Sequence, residues 1–207
     1  MRWWCRARWL PAAVALVVVA WVAALLSAEQ VVPFPTLVGP RVPVPLPYLI
    51  CAMGVAGIVY GLDRSRSALE STAVRSIALR DAALVGAVAL ACTAVGVAGA
   101  ALGTPVVAGA ARVMVAALGA YLVVRVVARP DLAALAPLGL LTCTVVVWDP
   151  STGPGPWLMA APDDVGAWGL SVALFLAGSF LLVRPPLRWV TPPGLRAGDG
   201  ADETHHR

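Results

Sequence analysis

The sequence predicts an all-α, polytopic membrane protein with about six transmembrane helices and both termini in the cytoplasm. Three observations carry that expectation. Of 207 residues, 60% are hydrophobic and only 13% are charged, against roughly 25% charged in a soluble domain. Mean hydropathy is strongly positive, and so little charge could not cover so much apolar surface in water. Six segments approach the roughly 20 apolar residues that a spanning helix needs, and arginines alternate between the loops that join them.

The six segments are 10–28, 47–62, 83–102, 106–127, 132–148 and 167–183. Together they define one six-helix domain over residues 1–190, followed by a polar cytoplasmic tail over 191–207 that is expected to be disordered. Short cytoplasmic loops are enriched in basic residues. Arg2, Arg6 and Arg8 precede the first segment, and Arg64, Arg66, Arg75 and Arg80 follow the second. Arg125 and Arg129 close the fourth, and Arg184, Arg188, Arg196 and Arg207 follow the sixth. The alternate loops hold only Arg41. The net charge of +4 therefore reports which side of the membrane each loop occupies and gives no indication of a nucleic-acid partner. Every basic residue is arginine, and lysine and asparagine are absent. With abundant Ala, Val, Gly and Pro, this reads as GC-rich bacterial coding, which places the chain in the bacterial inner (cell) membrane.

The first segment has a basic start and Leu26-Ser27-Ala28 near its end, features shared with cleavable signal peptides. Its length and the Trp21 within it favour an uncleaved helix. Trp3, Trp4 and Trp9 among the arginines suit the inner headgroup layer. The first outer loop, 29–46, contains Pro33, Pro35, Pro40, Pro43 and Pro45, which predicts a stiff, polyproline-like connector. Segments three and four are divided only by Gly103-Thr104-Pro105, a turn signal that suits a helical hairpin. The fifth segment is short and holds Pro137. The loop from Trp148 to Gly166 carries Trp157 and Leu158-Met159-Ala160-Ala161 between prolines; it reads either as an ordinary structured loop or as a segment dipping into the membrane.

Between segments two and three, Ser67-Ala68-Leu69-Glu70 fits a capping box. Leu69, Ala73 and Ile77 then recur every four residues as one apolar stripe, with Arg66 and Glu70 placed to pair. This predicts a short amphipathic helix over 67–80 against the inner membrane face, or a cytoplasmic extension of the third span, since no breaker separates Arg80 from Leu84. The topology and the stretch Arg64-Ser65-Arg66-Ser67-Ala68-Leu69-Glu70-Ser71-Thr72-Ala73 resemble the membrane subunits of ABC-2 type exporters. Ser67 and Ala68 stand where that family carries glycine and threonine, and no proline follows the helix. The resemblance implies a coupling helix docked in a separate ATPase subunit, with Leu69 on the membrane side and Arg66, Glu70 and Arg75 towards the ATPase. It also implies work in pairs, as a homo- or heterodimer.

Within the spans, Gly57 and Gly61 form a GxxxG pair, and Gly96 and Gly99 sit amid alanines. Small residues let membrane helices approach closely, inside the chain or across a dimer. Arg112 lies about six residues into the fourth span, roughly 9 Å below its outer edge. Such a residue faces protein or water; it would attract an anion or lipid headgroup, pair with Glu29, Asp149, Asp163 or Asp164, or snorkel outward. Thr93, Thr142, Thr144, Ser171 and Ser179 can bond back along their own helices. Cys5, Cys51, Cys92 and Cys143 form no CxxC pair and no outer-loop disulfide framework. No Walker A loop, HExxH, GxSxG or intramembrane carboxylate is visible. The expectation is therefore neither an enzyme nor a self-powered transporter, with no metal and no cofactor. Membrane lipid is the surrounding partner, and a non-transporting scaffold or accessory subunit is the alternative to the exporter.

Overall fold

A helix that is apolar on every face must meet either other helices or lipid, and this chain contains both kinds. The computed structural model describes residues 10–37, 41–64, 77–128, 130–147 and 156–183. Helix α1 spans Leu10–Leu26, α2 Leu46–Arg64, α3 Ile77–Ala101, α4 Pro105–Val127, α5 Pro130–Ala133, α6 Ala136–Val146 and α7 Val165–Val183. Two strands, β1 (Val31–Phe34) and β2 (Val42–Pro45), join α1 to α2. Among the described residues, three helices are long and apolar enough to cross a membrane: Ala82–Ala101 within α3, α4, and α7. Shorter apolar helices run over Val14–Leu26, Leu46–Tyr60 and Ala136–Val146.

Helix α4 is the hub. Its span is 89% buried, whereas those of α3 and α7 are 28% and 17% buried. Around α4 sit α7, α3, α2 and α6, with α1 packed mainly on α2. The outer surfaces of α1, α3 and α7 carry Val18, Val22, Leu90, Val97, Leu176 and Phe180 exposed. A band of that kind is far larger than a soluble monomer exposes and fits a membrane protein.

Helices α3 and α4 form the expected hairpin. Gly103 takes a positive φ of 73°, which glycine adopts without steric cost. Thr104 N–H donates to the Gly99 carbonyl at 2.8 Å and Gly103 N–H to Ala100 at 3.1 Å, so the orphan carbonyls of α3 are capped by a Schellman motif. Pro105 then opens α4 at a position whose N–H needs no partner.

Two expectations are corrected. The fifth segment, 132–148, is not one helix: α5 ends at Ala133 and α6 restarts at Ala136. Pro137 has no N–H to give to Ala133, and its ring would clash with that carbonyl, so a continuous helix is blocked. The eleven residues of α6 reach only about 16 Å, well short of a hydrocarbon core of about 30 Å. Of the amphipathic helix expected over 67–80, residues 67–76 lie outside the described residues, and residues 77–80 belong to α3.

The second correction is that the proline-rich loop is not a polyproline connector but an antiparallel ribbon, pairing Val31 with Pro45, Val32 with Val44, Pro33 with Pro43 and Phe34 with Val42. Proline cannot donate to a ladder, yet the ribbon forms because its prolines lie at odd positions. Leu46 N–H donates to the Gln30 carbonyl at 2.9 Å, which puts pairs 30/46, 32/44 and 34/42 in the hydrogen-bonded class. Pro33, Pro43 and Pro45 all fall in the alternate class, where an N–H would point away from the partner. The same alternation buries Val42 and Val44 against Val145, Phe34 and Met159, while Pro43 faces out.

Candidate functional site

Arg112 lies in the eighth position of α4 and is fully buried, at 0% exposure. A helical side chain leans towards its own N-terminus, so the guanidinium points to the end of the bundle that carries the β-ribbon. A loop from Pro156 to Asp164 closes over that end. Its 3₁₀ turn, Trp157–Met159, buries Leu158 completely in the main core. Arg112 Nη1 donates to the Ala161 carbonyl at 2.8 Å. Nη2 donates to Leu158 at 3.1 Å and to Ala160 at 2.6 Å.

The loop is held in shape from its other side as well. Met159 N–H donates to the Pro156 carbonyl at 2.6 Å, Ala160 to Trp157 at 3.4 Å and Asp164 to Ala161 at 3.0 Å. Asp164 Oδ1 accepts from Gly166 N–H at 2.8 Å and Ala167 N–H at 3.1 Å, which makes it the N-cap of α7. Trp168 Nε1 donates to the Pro162 carbonyl at 2.9 Å. Leu158, Ala160 and Ala161 thus present three carbonyls to one cation.

A buried charge without such partners is costly by several kcal/mol, and hydrogen bonds to a charged group contribute roughly 1.5–3 kcal/mol each. Three of them hold the guanidinium in place while its Nε stays without a hydrogen-bond partner. Tyr48, on α2, sets its hydroxyl against Gly109, one turn before Arg112. A methyl at position 109 would force the Tyr48 ring to shift. Arginine stays protonated, so this site orients and holds; it does not transfer protons.

The structure places Arg112 away from water, so snorkelling to an aqueous surface does not occur. The carbonyls occupy it in place of a carboxylate pairing with Glu29, Asp163 or Asp164; Asp149 lies outside the described residues. Arg125, expected at the interface, is 8% exposed with its guanidinium 5.4 Å from the Tyr121 ring centroid. The coupling-helix residues Arg66, Ser67, Leu69, Glu70 and Arg75 also lie outside the described residues.

The glycines are used inside the chain. A methyl at Gly57 would come within 2.7 Å of Leu16 on α1, one at Gly96 within 2.5 Å of Ala111 and one at Gly99 within 2.6 Å of Val107 on α4. Gly61 ends in a stretch whose side-chain surroundings are outside the described set. Sequence reasoning missed Gly54, which meets Ala20, and the facing pair Gly119 and Gly178, where α4 and α7 approach most closely. It also missed the Asp164 cap, whose signal was an Asp directly before the apolar run of α7. Thr93, Thr144 and Ser171 donate to the carbonyls of Ala89, Leu140 and Ala167. Cys92 Sγ donates to Met114 Sδ at 3.7 Å. Cys51 and Cys92 are buried free thiols and Cys143 is exposed.

These features define an apolar helical bundle of membrane type, built on a central helix whose buried cation is capped by a loop. Comparison with protein-family models, with curated proteins and with solved structures finds no match.

Proposed function

We propose that the chain is a six-span subunit of a bacterial cell membrane, with both ends cytoplasmic, that acts as the permease-type half of an ABC-2-like exporter. The supporting observation is an enclosed α4 ringed by helices with apolar outer surfaces, in a chain whose α2–α3 connector carries Arg66, Glu70 and Arg75 in a sequence pattern similar to an exporter coupling loop. On this reading a separate ATPase supplies the energy, and its closure pushes that connector so that two permease subunits change their packing. On this reading α5 and α6 together make the fifth, interrupted crossing, with Pro137, Leu141 and Val145 turned to protein, where interrupted helices are tolerated.

The test is a Glu70→Arg substitution in the full chain. Affinity purification from the native host is expected to recover an ATPase subunit with the unsubstituted chain and to lose it with the variant, together with export. Retention of both would overturn the coupling role. A second reading, a non-transporting scaffold, is favoured by one observation: the core around α4 is filled by side chains, and its one fully buried cation is sealed by backbone. It predicts that purification recovers other membrane subunits and no ATPase.

A further inference from the structure

We propose that residues 157–161 form a two-state lid on the bundle and that Arg112 is its latch. All three of the hydrogen bonds from the guanidinium end on one short segment of loop, at Leu158, Ala160 and Ala161. The loop's one completely buried side chain, Leu158, enters the core beside them. Polar and apolar anchors therefore act on the same few residues.

The charge makes the closure cooperative. The guanidinium is held by three carbonyls when the loop is closed and by water when it is open; partial opening leaves it in an apolar surround with neither. Lifting the loop must then expose Leu158 and admit water to Arg112 in one event, the behaviour of a bistable element. The closed state engages Arg112 with loop carbonyls, and the open state presents a fixed cation near the Tyr48 hydroxyl at the same end of the bundle. The fixed hinge on the α7 side is the Asp164 cap and the Trp168–Pro162 bond. The inference stands whether or not the chain is a permease.

The experiment uses the full-length chain in lipid nanodiscs, where both faces are reachable. Cys5, Cys51, Cys92 and Cys143 are replaced by alanine and Leu158→Cys is introduced. A water-soluble maleimide should label position 158 slowly while Arg112 is present and at least about tenfold faster with Arg112→Met, as expected when a sub-global opening is favoured. Arg112→Lys, which keeps the charge but not the fork, should fall between. An unchanged rate with Arg112→Met would overturn the latch. So would labelling of Leu158→Cys as fast as that of an exposed position such as Leu102→Cys.

A second measurement needs no substitution. In the unmodified protein, amide hydrogen exchange at Met159 and Ala160 should share one opening constant within about threefold, while α4 stays protected. Protection factors that differ by more than about a hundredfold between the two amides would show independent fraying and no lid.

Discussion

Arg112 and Gly119 show the two ways in which single residues set the packing of α4. Arg112 supplies donors where the neighbouring segment has carbonyls but no side chain to offer. Gly119 supplies absence: a methyl there would lie 2.6 Å from the Phe175 nitrogen and 2.8 Å from the Leu174 carbonyl carbon. Backbone cannot turn aside as a flexible side chain can, so Gly119→Ala is expected to separate α4 from α7. The cost should be about 1–3 kcal/mol, as for other overpacked interiors. Gly86, in α3, has nothing within 4 Å of an added methyl. Gly86→Ala should be neutral or stabilising by up to about 1 kcal/mol, because glycine is the entropically costlier helix residue. Thermal unfolding of both variants in the same detergent separates these outcomes; equal stabilities would contradict the close approach.

At the scale of elements, the β-ribbon shows how proline can permit a strand pair that composition argues against. Density of proline pointed to a polyproline connector; the spacing Pro33, Pro35, Pro43, Pro45 was the better guide, since odd positions leave the hydrogen-bonded pairs free. The same alternation separates tolerance from sensitivity. Val44 is fully buried, and Val44→Asp should destabilise the ribbon and its contact with Val145 by at least about 2 kcal/mol, the cost of an unpaired polar group in an apolar site. Pro43 faces out, so Pro43→Ser should change stability by no more than about 0.5 kcal/mol. Thermal unfolding of the two variants checks the register. Equal effects would contradict the alternation, and a larger effect at position 43 would mean that the strand faces are reversed. Pro137 worked in the opposite sense: it was visible as a marker of uncertain limits, and it divides α5 from α6.

At the scale of the molecule, the class of fold was legible and the centre was not. Apolar runs and arginine placement located the helices to within a few residues for α1, α2, α4 and α7. They did not say which helix is enclosed, because lipid and protein interior select similar apolar side chains. The residues that do mark α4 are its small and polar ones: Gly109, Gly119, Tyr121, Arg112 and Arg125. Arg112 stood out in the sequence, but its partners did not. They are main-chain carbonyls of Leu158, Ala160 and Ala161, and a carbonyl leaves no trace in residue identity, whereas a carboxylate would have. The loop's Asp164 cap was readable and was passed over in favour of ion pairing.

The account rests on the apolar outer surface of α3 and α7 meeting lipid while α4 is enclosed. The most direct measurement is paramagnetic collision of nitroxide labels placed one at a time at Leu90, Leu176 and Leu118, which are 73%, 60% and 1% exposed, in nanodiscs. Labels at 90 and 176 should collide often with oxygen, which enters the hydrocarbon, and rarely with a water-soluble nickel chelate; a label at 118 should meet neither. Frequent collision of the nickel chelate at 90 and 176 would place those faces in water and contradict the membrane-embedded bundle.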